Sequence, residues 1–227
     1  MASEDAPTLG LRRDDRAAHM QRVREREEEI LSAEYRASVD ERALAVLLPA
    51  NPDRTRLVNM ALQAPTRTKS ITWLRKAADR LSQAVGNEVA CRRGCDACCY
   101  LDVAVSKAEA ESIGRAIGRK PVESPATAIA VSSDLNEPHE YPNRHLGKPC
   151  TFLRDSECSI HADRPLVCRL HANFDRDNLL CQIVPGETIS VPYVDTSIEK
   201  AVYHAKVAAG GMVADIRDWF PALPPQG

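Results

Sequence analysis

The stretch Cys91-Arg92-Arg93-Gly94-Cys95-Asp96-Ala97-Cys98-Cys99 contains four of the eight cysteines of this 227-residue chain. The others follow before residue 182, and no cysteine lies outside residues 91–181. Cysteines separated by such short gaps are typical of metal sites, because thiolates are soft ligands that suit zinc, iron–sulfur clusters and Cu(I). We therefore predict a metal centre whose candidate ligands are all eight: Cys91, Cys95, Cys98, Cys99, Cys150, Cys158, Cys168 and Cys181.

The spacing within the stretch limits how its thiols can meet a metal. Gly94 permits a tight turn before Cys95. If a helical turn begins at Cys95, its thiol lies above those of Cys98 and Cys99, which point about 100° apart at roughly 3.6 residues per turn. Four ligands are the usual number for one zinc ion or one [4Fe–4S] cluster. Eight cysteines therefore satisfy either one larger site or two four-ligand sites.

Other roles for these residues were weighed against metal binding. A disulfide framework is disfavoured because nothing in the N-terminal sequence indicates secretion, and eight inert buried thiols would be unusual. A cysteine nucleophile needs a histidine base, and no pair stands out. His161 and His171 flank Cys168 as candidate ligands or hydrogen-bond partners, while His139 and His145 are weaker candidates. Arg164 and Arg169 are expected to be structural or to donate to thiolates.

Composition excludes several function classes. The chain has 30 Lys and Arg against 32 Asp and Glu, without the basic excess of a dedicated nucleic-acid binder. Aromatic residues make up only 4%, too few for a base-stacking surface. No run approaches the roughly 18 apolar residues of a membrane helix. We therefore expect a cytoplasmic protein with reduced cysteines, no nucleic-acid partner and no membrane association.

The pattern along the chain predicts a mainly α fold. Its parts are a helical scaffold and an irregular, metal-pinned cysteine-rich core with at most short strands. Four regions are expected: a charged N-terminal helical arm (1–50), scaffold helices (51–87), the cysteine-cluster domain (88–184) and a C-terminal strand, helix and tail (185–227). The arm should be one helix from about Leu11 to Leu48, and the turn Asn51-Pro52-Asp53 should precede a short helix. Because the arm lacks cysteine, it is predicted to be dispensable for metal binding.

Smaller elements follow from local signals. Ile71, Leu74, Ala78, Leu81 and Val85 form one stripe of a helix from about Lys69, which ends at Gly86. Capping boxes at Ser106–Glu109 and Thr196–Glu199 should each begin a helix. We also expect a short helix near 125–135, a strand within 187–194, and a tail anchored by Trp219 and Phe220.

Several motifs recur in the order of a known family. They are Cys-x3-Cys-x2-Cys-Cys, Ser-x-x-Glu, Pro-Cys-x-Phe-Leu, Cys-x-Ile-His and Arg-Pro-x-x-Cys-Arg, followed by a last cysteine. Over about residues 88–184 the sequence resembles the YkgJ-type cysteine-cluster family, whose CxxCxxCC domain is associated with zinc or iron chelation. The resemblance implies a metal centre, and some members are labelled iron–sulfur oxidoreductases. The cluster also occurs in flagellin lysine methylases, but their Gly-rich nucleotide loop is not found here. His161 stands where many members have Tyr.

Two function classes remain open at this point. In the first, the thiols hold an iron–sulfur cluster with a redox or catalytic role, which is slightly favoured over zinc. In the second, zinc only stabilises the fold, and the protein is an interaction module that uses its charged N-terminal helix to bind a protein partner. Within the ligand set, Cys91 and Cys181 are expected to be peripheral, since Cys91 precedes the Gly94 turn and Cys181 lies beyond a flexible stretch at 173–178.

Overall fold

The computed structural model describes residues 13–92, 94–134 and 144–222. It has the predicted mainly α fold, with only short antiparallel strands. The helices are α1 (Arg13–Leu31), α2 (Ala33–Leu62), α3 (Arg67–Val85), α4 (Lys107–Ile117), α5 (Leu166–Arg169), α6 (Ser197–Tyr203) and α7 (Ile216–Trp219). The strands are β1 (Ala104–Ser106), β2 (Ile129–Ala130), β3 (Leu153–Arg154), β4 (Glu157–Cys158) and β5 (Met212–Asp215).

The N-terminal half differs from the predicted single arm. The first helix ends at Leu31, and Ser32 caps α2 by accepting a hydrogen bond from the Tyr35 amide at 3.2 Å. Helix α2 then runs through Pro49 and Pro52, so the break predicted at 51–53 is wrong. Each proline removes one helical hydrogen bond, but the end of α2 is buried against α3, and this packing is invisible in the local sequence. The division into four regions stays a prediction.

Helix α3 is the centre of the larger hydrophobic core. All five residues of its predicted stripe are buried, and Gly86 ends the helix at a φ of 43°. The stripe packs on Leu57, Val58 and Ala61 of α2. Its other contacts include Leu166 and Leu170, which lie on either side of Cys168. The scaffold thereby fixes one part of the cysteine-rich region.

Two small sheets lie around the cysteines. Strand β5 is the middle strand of an antiparallel β1–β5–β2 sheet, and β3 pairs with β4 as a hairpin. Asp155 and Ser156 join β3 to β4 with φ angles of 47° and 58°, the conformation of a two-residue primed turn. The helix predicted near 125–135 is wrong for residues 125–134, which contain β2 instead.

The C-terminal region corrects two further predictions. The strand predicted within 187–194 is wrong, since only Tyr193 forms an isolated bridge, to Asn173. The Ser106 cap holds, with the Glu109 amide donating to its hydroxyl at 3.2 Å. At the second site Thr196 makes no capping hydrogen bond, and the carboxylate of Glu199 is buried against Arg54 at 2.7 Å. Helix α6 begins at Ser197 as predicted, but the Glu199 carboxylate is occupied by Arg54, so the capping box itself is wrong.

Both ends of the described chain pack on the body. Met20 and Val23 of α1 are buried against Leu179, Leu180 and Val184, so α1 lies beside the last cysteine of the sequence. At the other end Trp219 and Phe220 are fully buried, as predicted. In the part of the chain that the structure describes, no helix combines the length and apolar character needed to cross a bilayer.

Candidate metal centre

The first cysteine cluster folds as two consecutive tight turns. Gly94 has a φ of 82°, and the Cys95 amide donates to the Arg92 carbonyl at 3.0 Å, which confirms the predicted turn. A 3₁₀ helix then spans Ala97–Tyr100. Cys98 and Cys99 belong to this helix, whereas Cys95 precedes it. The prediction that Cys95, Cys98 and Cys99 share one helical turn is therefore wrong.

A cavity of about 490 Å³ is the central feature of the cysteine-rich region. The thiol-bearing residues that line it are Cys91, Cys95, Cys98, Cys99, Cys150, Cys158 and Cys168. Its other polar lining residues are Arg92, Ser156, Glu157, His161, Arg164 and His171. Within residues 13–92, 94–134 and 144–222, no three His, Cys, Asp or Glu side chains are gathered closely enough to hold a single ion. The thiols thus surround a space and do not meet at a point.

The segment 171–181 contacts three of the cysteines. The Cys91 thiol lies 3.8 Å from the His171 carbonyl. The Asn173 side-chain amide is 3.2 Å from the Cys181 sulfur, and that of Asn178 is 3.9 Å from the Cys95 sulfur. Cys181 is absent from the cavity lining, but this segment connects it with Cys91 and Cys95.

The β3–β4 hairpin groups other cysteines on a different side of the cavity. The Cys150 amide donates to the Cys99 carbonyl at 2.8 Å, which joins the two distant cysteine motifs. Cys158 pairs with Leu153 across the hairpin. Cys150, Cys158 and Cys168 all pack against one hydrophobic cluster that includes Phe152 and Phe220.

Arg217 is an organising residue that the sequence reasoning missed. Its buried guanidinium donates to the carbonyls of Cys99 at 2.9 Å, Lys148 at 2.7 Å and Pro149 at 3.1 Å, and pairs with Asp215 at 3.0 Å. It therefore ties the first cysteine cluster to the residues just before Cys150. Nothing in its local sequence signals this role, since it lies 36 residues beyond the last cysteine in an ordinary short helix.

The thiols of the 3₁₀ helix are electrostatically unequal. The hydrogen bond with Cys99 lowers the pKa of Cys98 to about 7, and the same bond raises the pKa of Cys99. Burial raises the pKa of Cys168, and the charge on Cys98 adds to that effect. Burial likewise raises the pKa of Cys181 to about 12, with smaller contributions from Cys91, Cys95 and Cys98. Cys98 is thus close to cysteines on both sides of the cavity.

Two further polar groups at the cavity have unused hydrogen-bonding atoms. Burial, with a smaller effect of Lys200, lowers the pKa of His171 to about 4, so its ring is neutral near pH 7. Its Nε2 atom is buried without a partner, and the ring stacks on Tyr193 with centroids 4.2 Å apart. The Nε atom of Arg164 is also buried and unpaired. Both atoms are inaccessible to solvent, so they lie within the wall of the cavity.

The remaining candidate residues have other partners. His161 contacts Arg164 at the cavity. His145 lies away from the thiols, with its Nε2 atom 3.0 Å from Asp218. Arg169 is structural, since it binds Asp79 at 2.6 Å and the Ala162 carbonyl. His139 lies outside the described residues. All eight thiols are free of disulfides.

The comparisons with known proteins agree with this geometry. No curated protein and no solved structure matches the chain. Residues 90–185 match a family model described as "CxxCxxCC: Putative zinc- or iron-chelating domain". The match contains all eight cysteines and excludes α1, α2 and α3. Over residues 90–185 this chain is therefore similar to the CxxCxxCC domain, the family that its cysteine motifs predict.

Proposed function

We propose that the protein binds an iron–sulfur centre through thiolates drawn from its eight cysteines. The observation that carries the proposal is the single cavity lined by seven of them. Thiolates are the ligands of both iron–sulfur clusters and structural zinc. The family match supports metal chelation in general, and the choice between iron–sulfur and zinc rests on the shape of the site.

The spacing of the thiols favours a cluster over a single zinc ion. Zinc–sulfur bonds of about 2.3 Å in a tetrahedron require sulfurs roughly 3.8 Å apart around one point. Among the described residues no three potential ligands are so gathered. The thiols instead enclose about 490 Å³, whereas a water molecule occupies about 30 Å³ of liquid. A polynuclear centre fits such a space better than one ion.

The surroundings also suit an anionic thiolate centre. Several thiolates concentrate negative charge in a half-buried space, and such charge needs nearby cations or hydrogen-bond donors. The guanidinium of Arg164 lines the cavity with its Nε atom unpaired. The side-chain amides of Asn173 and Asn178 point toward the sulfurs of Cys181 and Cys95. These groups would stabilise the centre and tune its potential.

A redox role is the second part of the proposal. Iron–sulfur centres exchange electrons when bound, and their potentials depend on hydrogen bonds to sulfur and on solvent exposure. Cys91 is exposed and Cys168 is half-buried, so one side of the site is more open to solvent than the other. Such an arrangement favours electron exchange with an external partner. The cytoplasmic location stays a prediction.

The experiment is anaerobic purification followed by iron, zinc and acid-labile sulfide analysis with a visible spectrum. We expect a coloured, oxygen-sensitive protein with similar amounts of iron and sulfide and little zinc. A variant lacking all eight cysteines, each changed to Ser, is the control and should be colourless. A colourless wild-type protein with stoichiometric zinc would refute the iron–sulfur assignment, and one without metal would refute metal binding altogether.

A further inference from the structure

We propose that the eight cysteines form two adjoining four-thiolate centres. The first, the asparagine-bridged set, comprises Cys91, Cys95, Cys98 and Cys181. The second, the hairpin set, comprises Cys99, Cys150, Cys158 and Cys168. This inference rests on the proposed function, because it presupposes that the thiols bind metal, and it adds how many centres there are and which cysteines belong to each.

The asparagine-bridged set is defined by its contacts with one short segment. Asn173 is fully buried, and its side-chain amide reaches the Cys181 sulfur at 3.2 Å. Its carbonyl accepts a hydrogen bond from the Ala90 amide at 2.8 Å, immediately before Cys91. Asn178 reaches the Cys95 sulfur at 3.9 Å. The segment that carries Cys181 is thereby fixed against the segment that carries Cys91 and Cys95.

The hairpin set is held by a different part of the fold. The Cys150 amide is hydrogen-bonded to the Cys99 carbonyl, and Cys158 is paired in the hairpin. Cys150, Cys158 and Cys168 also pack against one hydrophobic cluster. That cluster also contains Trp219 and Phe220 from the C-terminal end. Among the described residues, none of the cysteines of the asparagine-bridged set belongs to it.

The boundary between the two proposed sets of cysteines lies between Cys98 and Cys99, which are adjacent in the sequence. Cys98 and Cys99 are consecutive in a 3₁₀ helix, where neighbouring side chains point about 120° apart at roughly three residues per turn. Their thiols are hydrogen-bonded to each other, so the two proposed centres adjoin at this pair. Assigning Cys98 to the asparagine-bridged set completes four ligands on each side, the usual number for a zinc ion or a [4Fe–4S] cluster.

The test compares single and double Cys→Ser variants purified anaerobically, with metal and sulfide measured per chain. Cys91→Ser and Cys181→Ser should each lower the metal content to about half, as should Cys150→Ser and Cys158→Ser. The double variant Cys91→Ser/Cys181→Ser should retain that half, because both changes affect one centre. The double variant Cys181→Ser/Cys158→Ser should lose nearly all metal. Circular dichroism reports folding, since α1, α2 and α3 carry no cysteine.

The outcomes separate this proposal from the one on which it rests. If each single variant loses all metal, or if wild type holds the metal of one centre only, the two-centre arrangement is wrong while metal binding stands. If wild type holds no metal, the proposed function itself fails. Each set offers four positions, so a variant that does not fold is replaced by Cys→Ser at Cys95 or Cys168 of the same set. Loss of all metal from those folded variants also counts against two centres.

Discussion

At the scale of single residues, Arg217 holds together two backbone segments that carry cysteines of the site. Its guanidinium donates hydrogen bonds to backbone carbonyls in two neighbouring segments, 99–101 and 148–149. We call the place where these two segments meet the junction. A lysine keeps the charge beside Asp215 but presents a single ammonium group, which cannot donate to all of these acceptors at once. The planar guanidinium is therefore the feature that the junction requires.

We expect Arg217→Lys to lower the free energy of unfolding by about 2–4 kcal/mol, because each buried acceptor left unpaired costs about 1–3 kcal/mol. Metal content per chain should fall with it, since the junction positions Cys99 and Cys150. Urea denaturation and metal analysis check both effects. Arg115→Lys, at an exposed position of α4, is the matched control and should behave as wild type. Wild-type stability in Arg217→Lys would show that the junction does not depend on the guanidinium.

His171 gives a prediction about acid. Its folded pKa of about 4 lies below the ordinary value of 6.5, so the neutral form stabilises the fold above pH 6.5, and this contribution is lost as pH falls toward 4. His171→Phe keeps an aromatic ring beside Tyr193 but cannot take up a proton. Between pH 7 and pH 4.5 we expect the variant to lose about 1–3 kcal/mol less stability than wild type. Equal losses would contradict the prediction, and loss of metal at pH 7 would indicate that His171 is a ligand.

At this scale the sequence identifies the candidate metal ligands, but it does not identify the residues that support them. The cysteines are recognisable because closely spaced thiols have few other uses in a reduced compartment. Arg217, Asn173 and Asn178 have no such signal, because arginine and asparagine serve many roles and their partners here are distant in sequence. Only the folded chain shows that these side chains contact cysteine sulfurs and carbonyls.

At the scale of elements, α1 is an integral part of the cysteine-rich region. Arg26 of α1 is buried and binds both carboxylate oxygens of Asp175 at 2.6 Å. The Asp175 amide in turn donates to Asn173, whose side chain contacts the Cys181 sulfur. This chain of contacts runs from a helix without cysteine to a candidate ligand. The sequence-based expectation that the arm is dispensable for metal binding stays a prediction, and these contacts argue against it.

We predict that Arg26→Ala destabilises the protein by about 3–5 kcal/mol, because it leaves the carboxylate of Asp175 buried without its cation. The loss of metal should be partial and confined to the asparagine-bridged set. Arg24→Ala removes an exposed arginine from the same helix and serves as control, with little expected change. Thermal melting and metal analysis of both variants provide the measurement. If Arg26→Ala retains full metal and stability, α1 is dispensable, as the sequence alone suggests.

Elements with strong local signals were predictable, and those shaped by distant contacts were not. The stripe of α3 and the Ser106 cap follow from spacing and local hydrogen bonding, and both are present. Helix α2 continues through two prolines because its last turns pack on α3. The Thr196 box fails because Arg54, 145 residues from Glu199, binds that carboxylate. In each failure a tertiary contact outweighs the local preference.

At the scale of the whole molecule, stability is divided between two regions. The α2–α3 core holds a large contiguous group of buried apolar residues, whereas the cysteines lie among short elements around an open cavity. Apolar burial beside the thiols comes from a smaller cluster around Phe152 and Trp219, and metal should supply part of the folding free energy there. The mainly α class could be predicted from composition and periodicity, but the joining of the two regions by α5 could not.

Removal of the metal should therefore lower the melting temperature by about 8–16 °C. A ligand present at a thousand times its Kd contributes about 4 kcal/mol, and a protein of this size shifts by roughly 2–4 °C per kcal/mol. Differential scanning calorimetry before and after strong chelation, with metal analysis of both samples, measures the change. Adding the metal back should restore the original transition. An unchanged melting curve after proven removal would mean that the metal is not structural.

The docking of α1 also fixes the order of events during biosynthesis. Arg26 and Asp175 are 149 residues apart, so α1 leaves the ribosome long before its binding surface exists. At about 5–20 residues per second the interval is roughly 7–30 s. During that time the early cysteines emerge without the later ones that complete the site. Both proposed centres can consequently be complete only after Cys181 has been synthesised, and the nascent thiols depend on the reducing capacity of their surroundings until then.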